Sequence, residues 1–292
     1  MEGGEGAEGS STFGRNWEEL ARDALILIFL KLGTMEVLRA AGSVCRSWRK
    51  VATEEPVLWR KINMIDEIYG PYGDVVFDPF LVIDPVKSAR LAIDRSGGQL
   101  EEFAAAYFVN DDLLRYLCDR TNALKKLVLI SNTNLSAEAI SETAKRQPLL
   151  EEIEILEGPF SKKLTEIVGT ACPRLKSFKL NNTFYDDEEA VILNDDEALG
   201  IAKTMHQLRH LELIGNRLTN EGLTAILDGC PHLETLDISS CFDVKMDDDM
   251  DARCARLKTV RSDYLSDSDG FDNDYGCEFD PAFFDVGDRD DW

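Results

Sequence analysis

Leu208-Arg209-His210-Leu211-Glu212-Leu213 sets leucines at the first, fourth and sixth places of a six-residue unit, and the same pattern returns along the chain. It opens at Leu100 (Phe103, Ala105), Leu124 (Leu127, Leu129), Leu150 (Ile153, Ile155), Leu175 (Phe178, Leu180) and Leu233 (Leu236, Ile238), with a partial unit at Leu257 and Val260. Successive openings lie 24, 26, 25, 33, 25 and 24 residues apart. A period in that range signals stacked supersecondary units. Alternate residues of an extended segment share a face, so the fourth and sixth places point to one side. The helical stretch that follows returns the chain, and neither layer is buried until the next unit stacks on it.

Outward from the repeats, residues 17–59 hold the other complete apolar pattern. Leu25, Ile28, Phe29 and Leu32 recur at i, i+3, i+4 and i+7, which is one face of a helix ending near Gly33. Thr34 is placed to cap a short second helix, with Val37, Leu38 and Ala41 inward and Gly42 as its break. Ser43 is placed to cap a third, in which Val44, Cys45, Trp48, Val51 and Ala52 form the next stripe before Glu54, Glu55 and Pro56. Three helices in about 40 residues cannot close a core alone, because domains that small lean on a disulfide, a metal or a partner.

At these positions the segment resembles an F-box. Leu20-Ala21, Leu25-Ile26-Leu27-Ile28-Phe29 to Leu32, Val44-Cys45, Trp48 and Leu58-Trp59 stand where that family has its L-P pair, its amphipathic helix, V-C, W and a late L-W. Ala21 replaces the family's proline, which stiffens the first helical turn because its φ is already helical. The repeats resemble the leucine-rich repeat, in the cysteine-containing variety found behind F-boxes. The span 17–261, including Asp94-Arg95-Ser96 to Gln99-Leu100, resembles plant F-box/LRR proteins that bind Skp-type adaptors.

The resemblance implies an α/β fold: a three-helix F-box at 17–60, then a short right-handed leucine-rich-repeat solenoid with a parallel sheet at 100–261. Trp59, Ile62 and Met64 fit the triplet, so the end of the F-box doubles as a capping strand. Residues 61–99, with Pro71, Pro79 and Pro85, read as an irregular linking and opening unit. The resemblance further implies that the F-box binds a Skp-type adaptor and, through it, a cullin-RING ubiquitin ligase, while the repeats hold a protein substrate. Leu20, Ala21, Leu25, Ile28, Val44, Cys45 and Trp48 are the adaptor-binding candidates. A non-enzymatic scaffold that no longer binds the adaptor, its helices serving only as a cap, is the alternative that Ala21 keeps open.

The net charge of -23 is concentrated. Residues 186–197, 243–251 and 262–292 hold 23 acids and two bases, leaving about -2 for the rest. The first of these runs accounts for the extra eight residues of the one long repeat, and an insertion in a solenoid emerges as a loop on one face. After the first leucine of each unit come Glu101, Lys125, Glu151, Lys176, Arg209, Glu234 and Lys258. Parallel strands lie about 4.8 Å apart, so these residues are placed to pair between neighbouring repeats. Glu154, Lys179, Glu212 and Asp237, on the next inward-looking row, and Asp186 and Asp187 in the insertion are the substrate-binding candidates. The tail from Ser262 mixes aspartates with Phe271, Tyr275, Phe279, Phe283, Phe284 and Trp292, and is read either as disordered or as a cover for the open end of the last repeat.

Other function classes find little support. No basic stripe runs along the chain, so nucleic acid is not an expected partner. Residues 1–16 show no charged start followed by an apolar core and read as a flexible tail. The longest apolar run, 24–30, is far short of the ~20 residues of a membrane span. A soluble protein of the cytoplasm and/or nucleus is expected. Seven cysteines without a C-x-x-C pair suggest neither a disulfide framework nor a zinc site, and Cys172 and Cys230, each before a proline, read as small buried residues at helix ends. Asp267-Ser268-Asp269-Gly270 lacks the glycine position and closing glutamate of a calcium loop. His206, His210 and His232 stand at strand or helix ends without a nucleophile at useful spacing, so no catalytic residue, metal or cofactor is expected.

Overall fold

The computed structural model describes residues 17–65, 84–132, 134–158, 161–182 and 195–262. The expectations for residues 1–16, Asp186, Asp187 and the tail beyond 262 lie outside these. The described residues open with a 3-10 turn, Trp17–Glu19, and helix α1, Arg22–Phe29. Then come α2 (Thr34–Glu36), a π-helical turn (Val37–Ala41), α3 (Gly42–Val44) and α4 (Arg46–Glu54), closed by a 3-10 turn at Pro56–Trp59.

Four local expectations are corrected. Helix α1 ends one turn before Gly33, so Leu32 falls past its end and is exposed rather than inward. Thr34 is not a cap, since Gly33 holds that position; its Oγ1 accepts the N–H of Asn63 at 3.0 Å and so ties α2 to the first repeat. Gly42 breaks nothing, because its φ of -68° is helical and the chain runs on through a wide turn into α3. The break falls at Cys45, in extended backbone, which takes the capping place before α4 that Ser43 was given.

The repeats form β1 (Lys61–Met64), β2 (Glu102–Ala106), β3 (Lys126–Ile130), β4 (Glu152–Leu156), β5 (Ser177–Asn181), β6 (His210–Glu212), β7 (Thr235–Asp237) and β8 (Thr259–Arg261). These strands make one sheet, parallel throughout and in sequence order. Ile62, Phe103, Leu127, Ile153, Phe178, Leu211, Leu236 and Val260 stand side by side across it. The fourth place of every triplet therefore fills one continuous core layer. Behind it lie α5 (Pro85–Arg95), α6 (Asp111–Cys118), α7 (Ala137–Arg146), α8 (Lys162–Ala171), α9 (Asp196–Thr204), α10 (Asn220–Gly229) and α11 (Asp248–Cys254). Within the linking unit 61–99, residues 66–83 lie outside the described residues; on either side of them stand β1 and an 11-residue helix, α5, whose N-cap is Asp84 and whose first residue is a proline.

Five repeats turn the chain in the same way. Tyr107, Ser131, Glu157, Gly215 and Ser240 take positive φ just past their strands. The N–H of Ser131 donates to Leu156 at 2.9 Å and that of Gly215 to Ser239 at 3.0 Å, which extends the ladder beyond the side-chain triplet. Glycine is required at 215, where a Cβ would stand 1.8 Å from the Asn182 carbonyl oxygen. One residue on, buried Asn132 accepts the N–H of Val109 at 2.8 Å and donates to the carbonyl of Ile130, and Cys241 donates to the carbonyl of Leu213. A backbone turning under a buried layer thus has its polar groups paired.

The acidic run 186–197 is not all loop. Asp195 accepts both the N–H (2.9 Å) and the hydroxyl (2.6 Å) of Thr219, which itself caps α10, and Asp196 and Glu197 open α9. Asp111 holds Ser136 in the same manner three repeats earlier. Cys172 and Cys230 are buried at the ends of α8 and α10, as their places before proline imply. Burial pushes their thiols up to about 12 and about 11 respectively.

The F-box helices and the repeats share a single core, in which Leu25, Phe29, Val51 and Trp59 join Ile62, Ile93 and Phe103. Trp59 donates its indole N–H to the Ala52 carbonyl at 3.2 Å, and the Arg95 guanidinium stacks over its ring at 5.1 Å. The helical segment and the repeats therefore meet without an intervening hinge among the described residues.

Candidate functional site

Two surfaces stand out. The first is built by α1, whose residues 24–30 are apolar on every side. Leu25 and Phe29 face the core, which leaves Leu27 and Leu30 in solvent, 64% and 51% exposed, and Val44 at the end of α3 is 51% exposed. Exposed Trp17 lies edge-on to Trp48 at 6.2 Å, and Trp48 in turn meets Phe29 at 5.3 Å. The Trp48 indole donates to the Trp17 carbonyl at 3.0 Å, so this ring is half-buried and fixes the entry of α1. A helix that is apolar all round belongs in an interior, and here one side has none among the described residues.

The adaptor candidates divide accordingly. Leu25 is buried in the core and is not available to a partner. Leu20, Ile28 and Trp48 are partly buried, Cys45 is half-exposed, and Ala21 and Val44 are exposed. Cys45 lies beside Ser47 at 3.1 Å, and that hydrogen bond holds its thiol below the usual cysteine range. Ala21 sits at the N-cap of α1 with a φ of -57°, which is proline's own value, so alanine keeps the turn and gives up only its stiffening. Leu27, Leu30 and Trp17 were missed. The signal was present in Leu27 and Leu30, which lie off the inward stripe of an otherwise apolar helix.

The second surface is the open face of the sheet. The ladder after each first leucine forms as expected, with Lys125–Glu101 at 2.9 Å, Lys176–Glu151 at 2.7 Å and Glu234 shared between Arg209 (2.6 Å) and Lys258 (2.5 Å). These lysines and arginines hold the Glu101, Glu151 and Glu234 carboxyls below the ordinary glutamate range. Glu154, Lys179 and Glu212 stand together on β4, β5 and β6, with Lys179 reaching Glu212 at 3.3 Å and Glu154 at 3.7 Å. Asp237 is turned into its own strand end, accepting from the Ser239 N–H and hydroxyl, with Arg261 at 3.9 Å. On the same face Ile65, Ala106, Val128 and Ile130 form a separate buried apolar cluster at β1–β3, beside the Lys61–Glu102 and Lys126–Glu152 ion pairs, while ionic side chains continue over β4–β8. Sequence reading found the ionic half and did not foresee the apolar one.

Two family models match where these surfaces lie. An F-box-like model covers residues 15–65, and a leucine-rich-repeat model covers 204–227 and 229–241. An Arabidopsis thaliana protein described as F-box protein SKIP19 is 38% identical over 257 residues, which are 87% of this chain and 80% of that one. The chain belongs to the F-box/LRR-repeat family. Putative F-box/LRR-repeat protein 23 of the same plant is 39% identical over 87% of this chain, which spans only 54% of that relative's length. Among solved structures, the leucine-rich-repeat protein LegL7 of Legionella pneumophila aligns with a TM-score of 0.40 and 10% identity, over 82% of this chain and 78% of that one. In this F-box/LRR-repeat protein the helical segment that matches the first model is the one that leaves leucines in solvent.

One pH effect follows from the ionic half. Burial raises the Glu154 carboxyl above the ordinary glutamate range; Lys179 and Lys126 pull it down, and Glu212 pushes it up. A folded-state value above the unfolded one means that the folded chain holds the extra proton between the two. Stability contributed by this group is thus present at low pH and lost as pH rises through the folded value. Glu101, Glu151 and Glu234, held low, act in the opposite sense, so the effect is read as a difference: the unfolding free energy in urea of the protein minus that of Glu154→Gln is expected to fall as pH rises across the acid range.

Proposed function

We propose that this F-box/LRR-repeat protein is the substrate-recognition subunit of a Skp-cullin-F-box ubiquitin ligase, working in the cytoplasm and/or nucleus. The exposed apolar side of α1 and α3 carries the reading: Leu27, Leu30 and Val44 have no cover in the chain's described residues, and a Skp-type adaptor supplies one. The chain does no bond chemistry. It raises the local concentration of substrate lysines near the conjugating enzyme, and a junction without a hinge keeps that placement constant. The substrate is held on the sheet face at β4–β8, around Lys179 and Glu212, with Asp186 and Asp187 of the insertion contributing.

The test is co-expression with a plant Skp-type adaptor, followed by size exclusion. A one-to-one complex that carries cullin on its addition is the expected outcome. A monomeric F-box/LRR-repeat protein beside free adaptor would leave the scaffold reading instead.

A further inference from the structure

The run Asp94 to Leu100 stands where the F-box meets the solenoid, and it departs from the turns that follow it. In each later repeat the third residue before the opening leucine is buried: Thr121, Gln147, Cys172, Met205, Cys230 and Cys254. The first repeat has exposed Gly97 at that place. The buried residue falls one position earlier, on Ser96, whose hydroxyl donates to the Ile93 carbonyl at 2.6 Å. This turn is therefore one residue longer. Gly97 and Gly98 take φ of 56° and 81°, and the backbone at Gly97 passes against Pro56 of the F-box, where a Cβ would stand 3.7 Å from the proline Cγ.

Side chains of the same turn reach out in both directions. Backward, Gln99 accepts from Arg60 Nε at 3.2 Å and Nη2 at 2.8 Å, while the Arg60 carbonyl accepts the N–H groups of Glu101 and Glu102 at 2.8 and 3.0 Å. Arg60 is the one residue between the last F-box turn and β1, so the link is held by backbone and side chain together. Arg95 stacks on Trp59, and no described carboxylate pairs with it; burial pulls its guanidinium below the ordinary arginine range. Its place is set by the ring. Forward, Asp94 accepts from the Tyr116 hydroxyl at 2.7 Å and from Arg120 Nε at 2.6 Å, and Thr121 donates its hydroxyl to the Leu100 carbonyl at 3.2 Å. One turn thus grips the F-box on one side and the end of α6 on the other.

Apolar burial is non-directional, so the shared core makes the two parts meet without fixing the angle between them. Hydrogen bonds and a planar stack do fix it, because they weaken steeply when misaligned. We propose that the turn 94–99 is a latch whose positioning residues, Arg95 and Gln99, set the angle between the F-box and the repeats, and that the ligase uses this angle to place substrate lysines. The latch stands on these contacts alone; its use rests on the ligase reading above.

Distances between spin labels on Lys50→Cys in α4 and Lys163→Cys in α8, in the full chain with Cys45 and Cys277 replaced by serine, test the latch. This parent is expected to give one narrow distribution, and addition of Arg95→Ala and Gln99→Ala a distribution at least about twofold broader, with thermal unfolding still a single transition. Gln99→Glu, whose carboxylate accepts from the same two donors, is expected to stay narrow. Equal widths in the parent and the Arg95→Ala, Gln99→Ala variant would overturn the proposal. So would a loss of adaptor affinity in that variant, which would put the turn in the adaptor site. Assembled with adaptor, cullin and charged conjugating enzyme, the variant is expected to carry ubiquitin on more lysines of the repeats than the parent does. The same lysines in both would overturn the use of the angle. No ubiquitin on either would overturn the ligase reading, and the distances would still decide the latch.

Discussion

Leu27→Lys and Val44→Lys are each expected to abolish capture of a Skp-type adaptor while leaving the fold intact. Both side chains are more than half exposed in the free protein, so lysine there meets water and changes the unfolding free energy by within about 0.5 kcal/mol. In the complex the same ammonium would be buried among apolar side chains without a partner, a cost of at least ~2 kcal/mol, or about thirtyfold in Kd, for each. Leu25→Lys is the contrasting case: Leu25 is buried with Phe29, and the substitution is expected to unfold the helical segment. Calorimetric titration of adaptor into each variant, with thermal unfolding alongside, separates the two. Unchanged adaptor affinity in the folded Leu27→Lys, Val44→Lys double variant would reject this face as the docking site.

Leu211→Ala is expected to lower the free energy of unfolding by about 2 to 5 kcal/mol, because Leu211 is buried between Phe178 and Leu236 in the core layer and neighbouring strands cannot close the void. Arg209→Ala, two residues earlier, removes an ion pair to Glu234 at the exposed margin of the sheet and is expected to cost under ~1 kcal/mol. Glu234 keeps Lys258 after that change, which limits the loss further. Urea unfolding of the two variants reads the difference, and equal losses would mean that the register across β5, β6 and β7 is not the one described.

The period and the pattern of the triplets determined the register and the ion ladder along the margin of the sheet from the sequence, and the leucine-rich-repeat resemblance they carry implied that the sheet is parallel. These follow from nearest-neighbour stacking, in which each repeat meets only the units one period away. Burial of Cys172 and Cys230, and the use of Ile62 and Met64 as a first strand, were legible for the same reason.

Where side chains are shared between elements far apart in the chain, the sequence was silent or misleading. Thr34 looks like a cap, yet its hydroxyl is taken by Asn63 across the junction, and Asp195 looks like part of a solvated acidic loop, yet it holds Thr219 from the next repeat. The division of α1 was also beyond local pattern. Leu25, Leu27, Ile28 and Leu30 are equally apolar, and which of them meets solvent depends on where α4 and the first strand pack. Periodicity shows that a face exists. Only tertiary packing decides which face is left over for a partner.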